Sequence, residues 1–253
     1  MSPLQLTVLG NATPYPTAGN PCSGYLVTSG DTRIWLDAGT GTLGPLQRHT
    51  RLDELTAVWI SHAHADHSAD LLTAFYALRY ADFARPAPLP LHGPPGLADR
   101  LAAFLTNGPA RSPVEEAFAC HELRDGQRLR LGELTLTTRA VEHGIPAFAV
   151  RIDSATRSLV FSGDTAACPA LTELARDCDL LLCEAESDRH PEGETPVHHT
   201  PEDAGDTARA AGARGLALTH LGRSLSPADA VARAATRYDG PVAYAEPGSR
   251  ITV

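Results

Sequence analysis

The chain has 253 residues and no lysine; every one of its 21 Lys and Arg positions is arginine. That excludes Schiff-base and lysine-nucleophile chemistry. No apolar run approaches the roughly 18–20 residues of a membrane span, and the longest, around Leu180–Cys183, has the length of a buried strand. An integral membrane protein is therefore not expected. Internal repeats and low-complexity tracts are absent, which removes solenoid, collagenous and disordered classes. There is no C-x-x-C, and the five cysteines (Cys22, Cys120, Cys168, Cys178, Cys183) have no paired spacing. They read as small buried hydrophobes in a reducing compartment. The start, Met1 to Gln5, has no basic region and no apolar signal core, so a cytoplasmic protein is expected. Basic stripes are missing too: 30 acidic residues against 21 basic leave a formal charge of −9, which argues against an extended nucleic-acid surface. What is present is an apolar fraction of 43%, enough at this length for a large core without disulfides or a structural metal.

Gly and Pro clusters divide the first half into short β-type runs: Leu6–Leu9, Gly24–Val27, Arg33–Asp37 and Ala57–Ile60. Asp66–Tyr80 predicts a helix with Leu71, Leu72, Phe75 and Leu78 on one face. The Pro86–Pro95 stretch holds a short strand at Leu89–His92, and Gly96–Leu105 predicts a further helix. From Glu116 strands return, with Arg128–Thr138 as a hairpin around Gly132, then Ala147–Ile152 and Ser158–Phe161. Strand and helix then alternate: helix Leu171–Cys178, strand Leu180–Cys183, a helix opened by the cap Thr200-Pro201, strand Leu216–Thr219, helix Pro227–Ala235 and strand Val242–Tyr244. Two β-rich halves with helices imply an α/β protein, a sandwich of two sheets with helices on the outer faces. No linker is long enough to separate domains, so residues 1–253 read as a single one.

Histidine is the informative residue. Three of the 11 crowd, with one aspartate, into Ser61-His62-Ala63-His64-Ala65-Asp66-His67, between a hydrophobic strand and a helix. His62 and His64 are two apart, so at a strand end they point to one side. Asp66 and His67 diverge toward a second point. Imidazole with carboxylate suits Zn²⁺, with Mn²⁺ and Fe as competitors. His143, Asp164 and His220 each lie just beyond a β run, where a ligand is rigidly held and still faces a cleft. With the cluster they complete two sets of ligands.

His62-x-His64-x-Asp66-His67, His143, Ser162-Gly163-Asp164-Thr165 and Thr219-His220, in this order, resemble the metallo-β-lactamase superfamily. The opening Leu9-Gly10-x-x-Thr13-Pro14-x-Pro16, the run Gly24–Val27 and Leu36-Asp37-Ala38-Gly39 extend the likeness nearly end to end. His198-His199-Thr200, Glu184-Ala185 and His220 resemble the ribonuclease Z and cyclic-nucleotide phosphodiesterase branch. The resemblance implies an αββα sandwich of two mixed sheets. It implies two divalent ions, zinc first and Mn or Fe as alternatives. One would be held by His62, His64 and His143, the other by Asp66, His67 and His220, with Asp164 bridging. A hydroxide shared by the ions would then attack, Asp66 would ligate and orient it, and His198 would protonate the leaving group. His199 competes for that role; the His-x-Thr register favours His198. Glu184 and Asp37 are candidate carboxylate partners of these histidines, and Arg223 a candidate phosphate ligand. His92, His121 and His190 read as structural or surface. The resemblance also implies a homodimer.

The expected function is a binuclear metal-dependent hydrolase of a small phosphodiester, a cyclic nucleotide by type. Carbonyl hydrolysis (a lactonase, a thioesterase or a biosynthetic hydrolase) is the alternative, since the same metal pair serves acyl transfer. Transfer-RNA processing ranks lower: ribonuclease Z carries its RNA-gripping arm between the positions matching His143 and Asp164, and these are 21 residues apart here. A β-lactamase proper is disfavoured without an export signal. A metal-holding module without turnover is the third class, disfavoured by the intact ligand set.

Overall fold

The computed structural model describes residues 2–83, 85–190 and 192–253. The first half supplies strands β1 (Gln5–Gly10), β2 (Gly24–Ser29), β3 (Thr32–Ala38), β4 (Ala57–Trp59), β5 (Leu89–Gly93) and β6 (Phe118–Glu122). The second supplies β7 (Arg128–Leu131), β8 (Leu134–Val141), β9 (Ala147–Asp153), β10 (Ser158–Phe161), β11 (Leu180–Ala185), β12 (Leu216–Leu221) and β13 (Val242–Tyr244). The last strand, β14 (Arg250–Thr252), returns to the first sheet and pairs antiparallel with β1, Leu6 opposite Ile251. Among the described residues this gives two mixed seven-stranded sheets, ordered β14-β1-β2-β3-β4-β5-β6 and β13-β12-β11-β10-β9-β8-β7.

The helices are α1 (Leu43–Leu46), α2 (Ala65–Ser68), α3 (Asp70–Tyr80), α4 (Leu97–Leu105), α5 (Pro169–Leu174), α6 (Pro201–Ala211) and α7 (Pro227–Ala235). They follow from a change of hydrophobic period. Strands such as β11 are buried along nearly their whole length, because parallel strands are covered on both faces. Three apolar layers result. Between the sheets lie Val8, Tyr25, Trp59, Leu136, Val150 and Phe161. Outside the first sheet, α3 and α4 seat Leu71, Phe75 and Leu101 against Trp35, Val58 and Leu91. Outside the second, the alanine-lined faces of α6 and α7 let those helices approach Leu181, Cys183 and Leu218 closely. The four-layer αββα order is as the sequence implied.

Three details depart from the sequence reading. The helix expected over Asp66–Tyr80 is interrupted at Ala69 into α2 and α3. The backbone tightens on either side, with His67 donating to His64 O at 3.1 Å and Leu72 to Ala69 O at 3.1 Å. The helix expected over Leu171–Cys178 ends at Leu174, and strand β14 carried no pattern long enough to read. All five cysteines are free thiols, four of them buried. No helix among the described residues is long and apolar enough to cross a membrane.

Candidate metal centre

Ser61 fixes the histidine-rich loop. Just past β4, its N–H and hydroxyl donate to the two oxygens of Asp37 at 2.7 and 2.8 Å. Its carbonyl accepts from the Phe148 amide at 3.0 Å, which ties the end of β4 to β9 in the other sheet. Two bulges then aim side chains inward. Pairing of β2 with β3 steps from Tyr25–Leu36 to Gly24–Ala38, leaving Asp37 as the extra residue. Pairing of β11 with β12 steps from Glu184–Thr219 to Ala185–Leu221, leaving His220 as the extra residue. Both adopt the left-handed region, φ 53° and 52°. For a non-glycine residue that costs about 1–2 kcal/mol and re-aims the side chain. Gly163 also has positive φ, and a Cβ there would lie 2.8 Å from Phe148 O, so only glycine lets the chain turn Asp164 into the site.

These turns bring all seven predicted ligands together. One donor atom each of His62, His64 and His143 lies within 4.8 Å of the others, and the same holds for Asp66, His67 and His220. In the first set His62 Nε2 is 3.0 Å and His143 Nε2 3.2 Å from His64 Nδ1. In the second, Asp66 Oδ2 is 3.7 Å from both His67 Nε2 and His220 Nε2. Asp164 Oδ2 stands between the sets, 3.2 Å from His67 Nε2, 3.3 Å from His220 Nε2, 3.7 Å from His62 Nε2 and 3.9 Å from His143 Nε2. His143 donates from Nδ1 to Val197 O at 3.0 Å, and His67 from Nδ1 to Asp37 Oδ2 at 2.6 Å. Each partner fixes the tautomer that turns Nε2 inward.

The donors fit cations by their unmet valence. Among the described residues, His67 Nε2 and both nitrogens of His220 are buried with no hydrogen-bond partner. An unsatisfied buried polar atom costs about 1–3 kcal/mol, which a metal ion at the two Nε2 positions would relieve. Charge points the same way. Burial and the neighbouring His67 imidazole push His62 well below the usual histidine range. Burial disfavours the cation at His67 as well, yet the Asp164 and Asp37 carboxylates raise it well above that range. Burial would raise Asp164, but His220 and His67 hold it well below the carboxylate range. A divalent cation at these donors would neutralise the buried carboxylates in place of an imidazole proton.

His198 and His199 diverge. The His198 ring packs edge-on against His143, centroids 4.8 Å apart, and its Nδ1 donates to Glu184 Oε1 at 2.8 Å. Its donor atom groups with those of His143 and Asp164. His199 is buried, with Nδ1 donating to Thr165 O at 2.6 Å and Nε2 3.2 Å from Thr207 Oγ1, so both its nitrogens are engaged away from the centre. Arg223 is not among the clustered donors; its guanidinium lies 4.4 Å from the centroid of the Tyr15 ring. His190 pairs with Asp203 at 2.8 Å, and His92 stacks on His121. Sequence reasoning missed Ser61, whose hydroxyl also meets His62 Nδ1 at 3.0 Å, and Glu186, whose carboxylate is 3.9 Å from His198 Nε2. It missed Val197 because a backbone carbonyl leaves no side-chain signal.

Comparison with known proteins gives the family and the fold. Residues 32–221 match the family model described as a beta-lactamase superfamily domain. An uncharacterized protein of Mycobacterium tuberculosis is 37% identical over 94% of this chain and 88% of its own length. Ribonuclease Z of Myxococcus xanthus is 29% identical over 98% of this chain and 97% of its own. The crystal structure of the metallo-beta-lactamase fold protein YhfI from Bacillus subtilis superposes with a TM-score of 0.87, at 27% identity, covering 99% of this chain and 100% of that one.

Proposed function

The chain belongs to the beta-lactamase superfamily of metallo-hydrolases, and within it we propose a binuclear metal-dependent phosphodiesterase acting on a small nucleotide of the cyclic type. His62, His64 and His143 would hold one divalent ion, and Asp66, His67 and His220 the other, with Asp164 shared. Zinc suits this nitrogen-rich set best. When bound, such a pair supplies Lewis acidity and a nucleophilic water at neutral pH. Asp66 keeps one carboxylate oxygen to accept a hydrogen bond from the attacking water and orient it. The alkoxide that departs from a phosphodiester needs a proton, and His198 would give one from Nε2. Without bound ions, burial opposes charge on His198, but the Glu184 hydrogen bond and the Glu184 and Asp164 carboxylates raise it to about 9.

The observation that carries this reading is His198: an imidazole outside both ligand triads, braced by Glu184 at 2.8 Å and packed on the ligand His143. The likeness to a ribonuclease, which by name cleaves phosphodiesters, supports the bond type. A large RNA substrate is disfavoured, since only β9 and β10 lie between His143 and Asp164. The test is a substrate panel on metal-loaded protein: bis-p-nitrophenyl phosphate, cyclic nucleotides and lactones. Diesters should turn over, and His198→Ala should reduce that turnover by roughly 10²–10⁴-fold with metal content unchanged. Fast lactone hydrolysis with inert diesters would overturn the proposal.

A further inference from the structure

A cleft of about 220 Å³ opens between the loop after β1 and the loop after β12; Asn11, Thr13, Asn20, Leu221, Arg223 and Tyr244 line it. Both walls are anchored to candidate metal ligands. One begins at Leu221, the residue after His220, and Arg223 is at most about 11 Å of chain further on. The other runs to Ser23, whose amide donates to Asp66 O at 3.1 Å.

The back of the cleft is rigid. Asn11 donates from Nδ2 to Ala245 O at 2.7 Å, while its Oδ1 accepts from Asn20 Nδ2 at 2.9 Å and from the Tyr244 hydroxyl at 3.0 Å. The asparagines are thus occupied with one another, and the free recognition groups are at the mouth. There the exposed Arg223 has no carboxylate partner among the described residues, and its guanidinium lies over the ring of Tyr15, which is 51% exposed. A stacked guanidinium keeps its outer face for another π-system and its N–H edge for acceptor atoms. A heteroaromatic ring with lone-pair nitrogens and carbonyls satisfies both; a bare phosphate uses only the edge. The volume is below the roughly 300 Å³ of a drug-sized pocket, which suits one base and leaves the ribose phosphate outside.

We propose that this cleft is the nucleobase subsite of the centre, with Tyr15 and Arg223 as its stacking platform. The inference rests on the nucleotide phosphodiesterase reading and names where that substrate's base would sit.

The test is calorimetric titration of metal-loaded protein with adenosine and guanosine 5′-monophosphates and with ribose 5-phosphate, which lacks a base. Wild type, Tyr15→Ala, Tyr15→Phe and Arg223→Ala are compared. Losing a base-stacking side chain should weaken nucleotide binding about 10-fold or more in Tyr15→Ala and Arg223→Ala. Tyr15→Phe, which keeps the ring, should retain affinity to within about threefold, and ribose 5-phosphate should lose less than about threefold in any variant. Equal loss of ribose 5-phosphate and nucleotide affinity in Arg223→Ala would make Arg223 a phosphate ligand and overturn the subsite. So would unchanged nucleotide binding in both alanine variants, or no binding to wild type at millimolar concentration. Base-dependent binding without diester turnover would keep the subsite and overturn the phosphodiesterase reading instead.

Discussion

Three donors converge on the two oxygens of Asp37: the Ser61 amide on Oδ1, and the Ser61 hydroxyl and His67 Nδ1 on Oδ2. Only a carboxylate accepts all three. Burial pushes this carboxyl above its usual range despite the His67 imidazole beside it, so keeping it ionised depends on those three donors. Asp37→Asn places an amide NH₂ against either Ser61 N–H or His67 Nδ1–H, and one donor is left facing another. If His67 is a metal ligand, the variant should bind one of its ions 10–100-fold more weakly, read by chelator competition. Equal metal affinity in the variant and the parent would show that Asp37 serves packing alone.

At the scale of elements, α6 begins shortly after His198, and its cap fixes where that residue leaves the chain. Asp203 Oδ2 accepts from Thr200 N at 2.9 Å and from Thr200 Oγ1 at 2.7 Å, while Thr200 Oγ1 accepts from Asp203 N at 3.2 Å. Burial raises the Asp203 carboxyl, but the Thr200 donors outweigh it and leave it below the usual range. A depressed carboxyl stabilises the fold in full above its unfolded value of about 3.9, and that contribution is lost as pH falls through the lower folded value. Thr200→Ala should therefore cost about 1 kcal/mol at neutral pH, or roughly 2–4 °C in Tm. The gap should narrow in thermal melts near pH 3; an equal gap at both values would mean the carboxylate does not belong to the cap. Thr200-Pro201 was legible because a cap is a local signal. So was the clustering of the candidate donors, since His62, His64, Asp66 and His67 crowd one strand-to-helix junction and the others end apolar runs. The bulges at Asp37 and His220 were not, because an extra residue leaves alternation intact on each side and shows itself only in pairing to a distant strand. The same holds for β14, three residues whose partner lies at the other end of the chain.

At the scale of the molecule, the donors are divided between the two sheets. His62, His64, Asp66 and His67 follow β4 of the first sheet, whereas His143 and Asp164 follow β8 and β10 of the second and His220 lies in its β12. Ions held between them would fasten the sandwich at its open rim, where the direct backbone tie is Phe148 N to Ser61 O. Any ion that binds the folded chain and not the unfolded one stabilises the fold by mass action, about 2.7 kcal/mol at 100 times its Kd. In a chain of this length that raises Tm by roughly 5–10 °C. Stripping with a chelator should lower Tm by that amount, and stoichiometric zinc should restore it. Asp164→Ala should lose both the ions and the zinc-dependent rise, because its carboxylate faces four of the imidazoles at once. Should chelated protein, shown by elemental analysis to be metal-free, melt with the untreated protein, the ions do not join the sheets. Should Asp164→Ala retain two ions, the carboxylate does not bridge them.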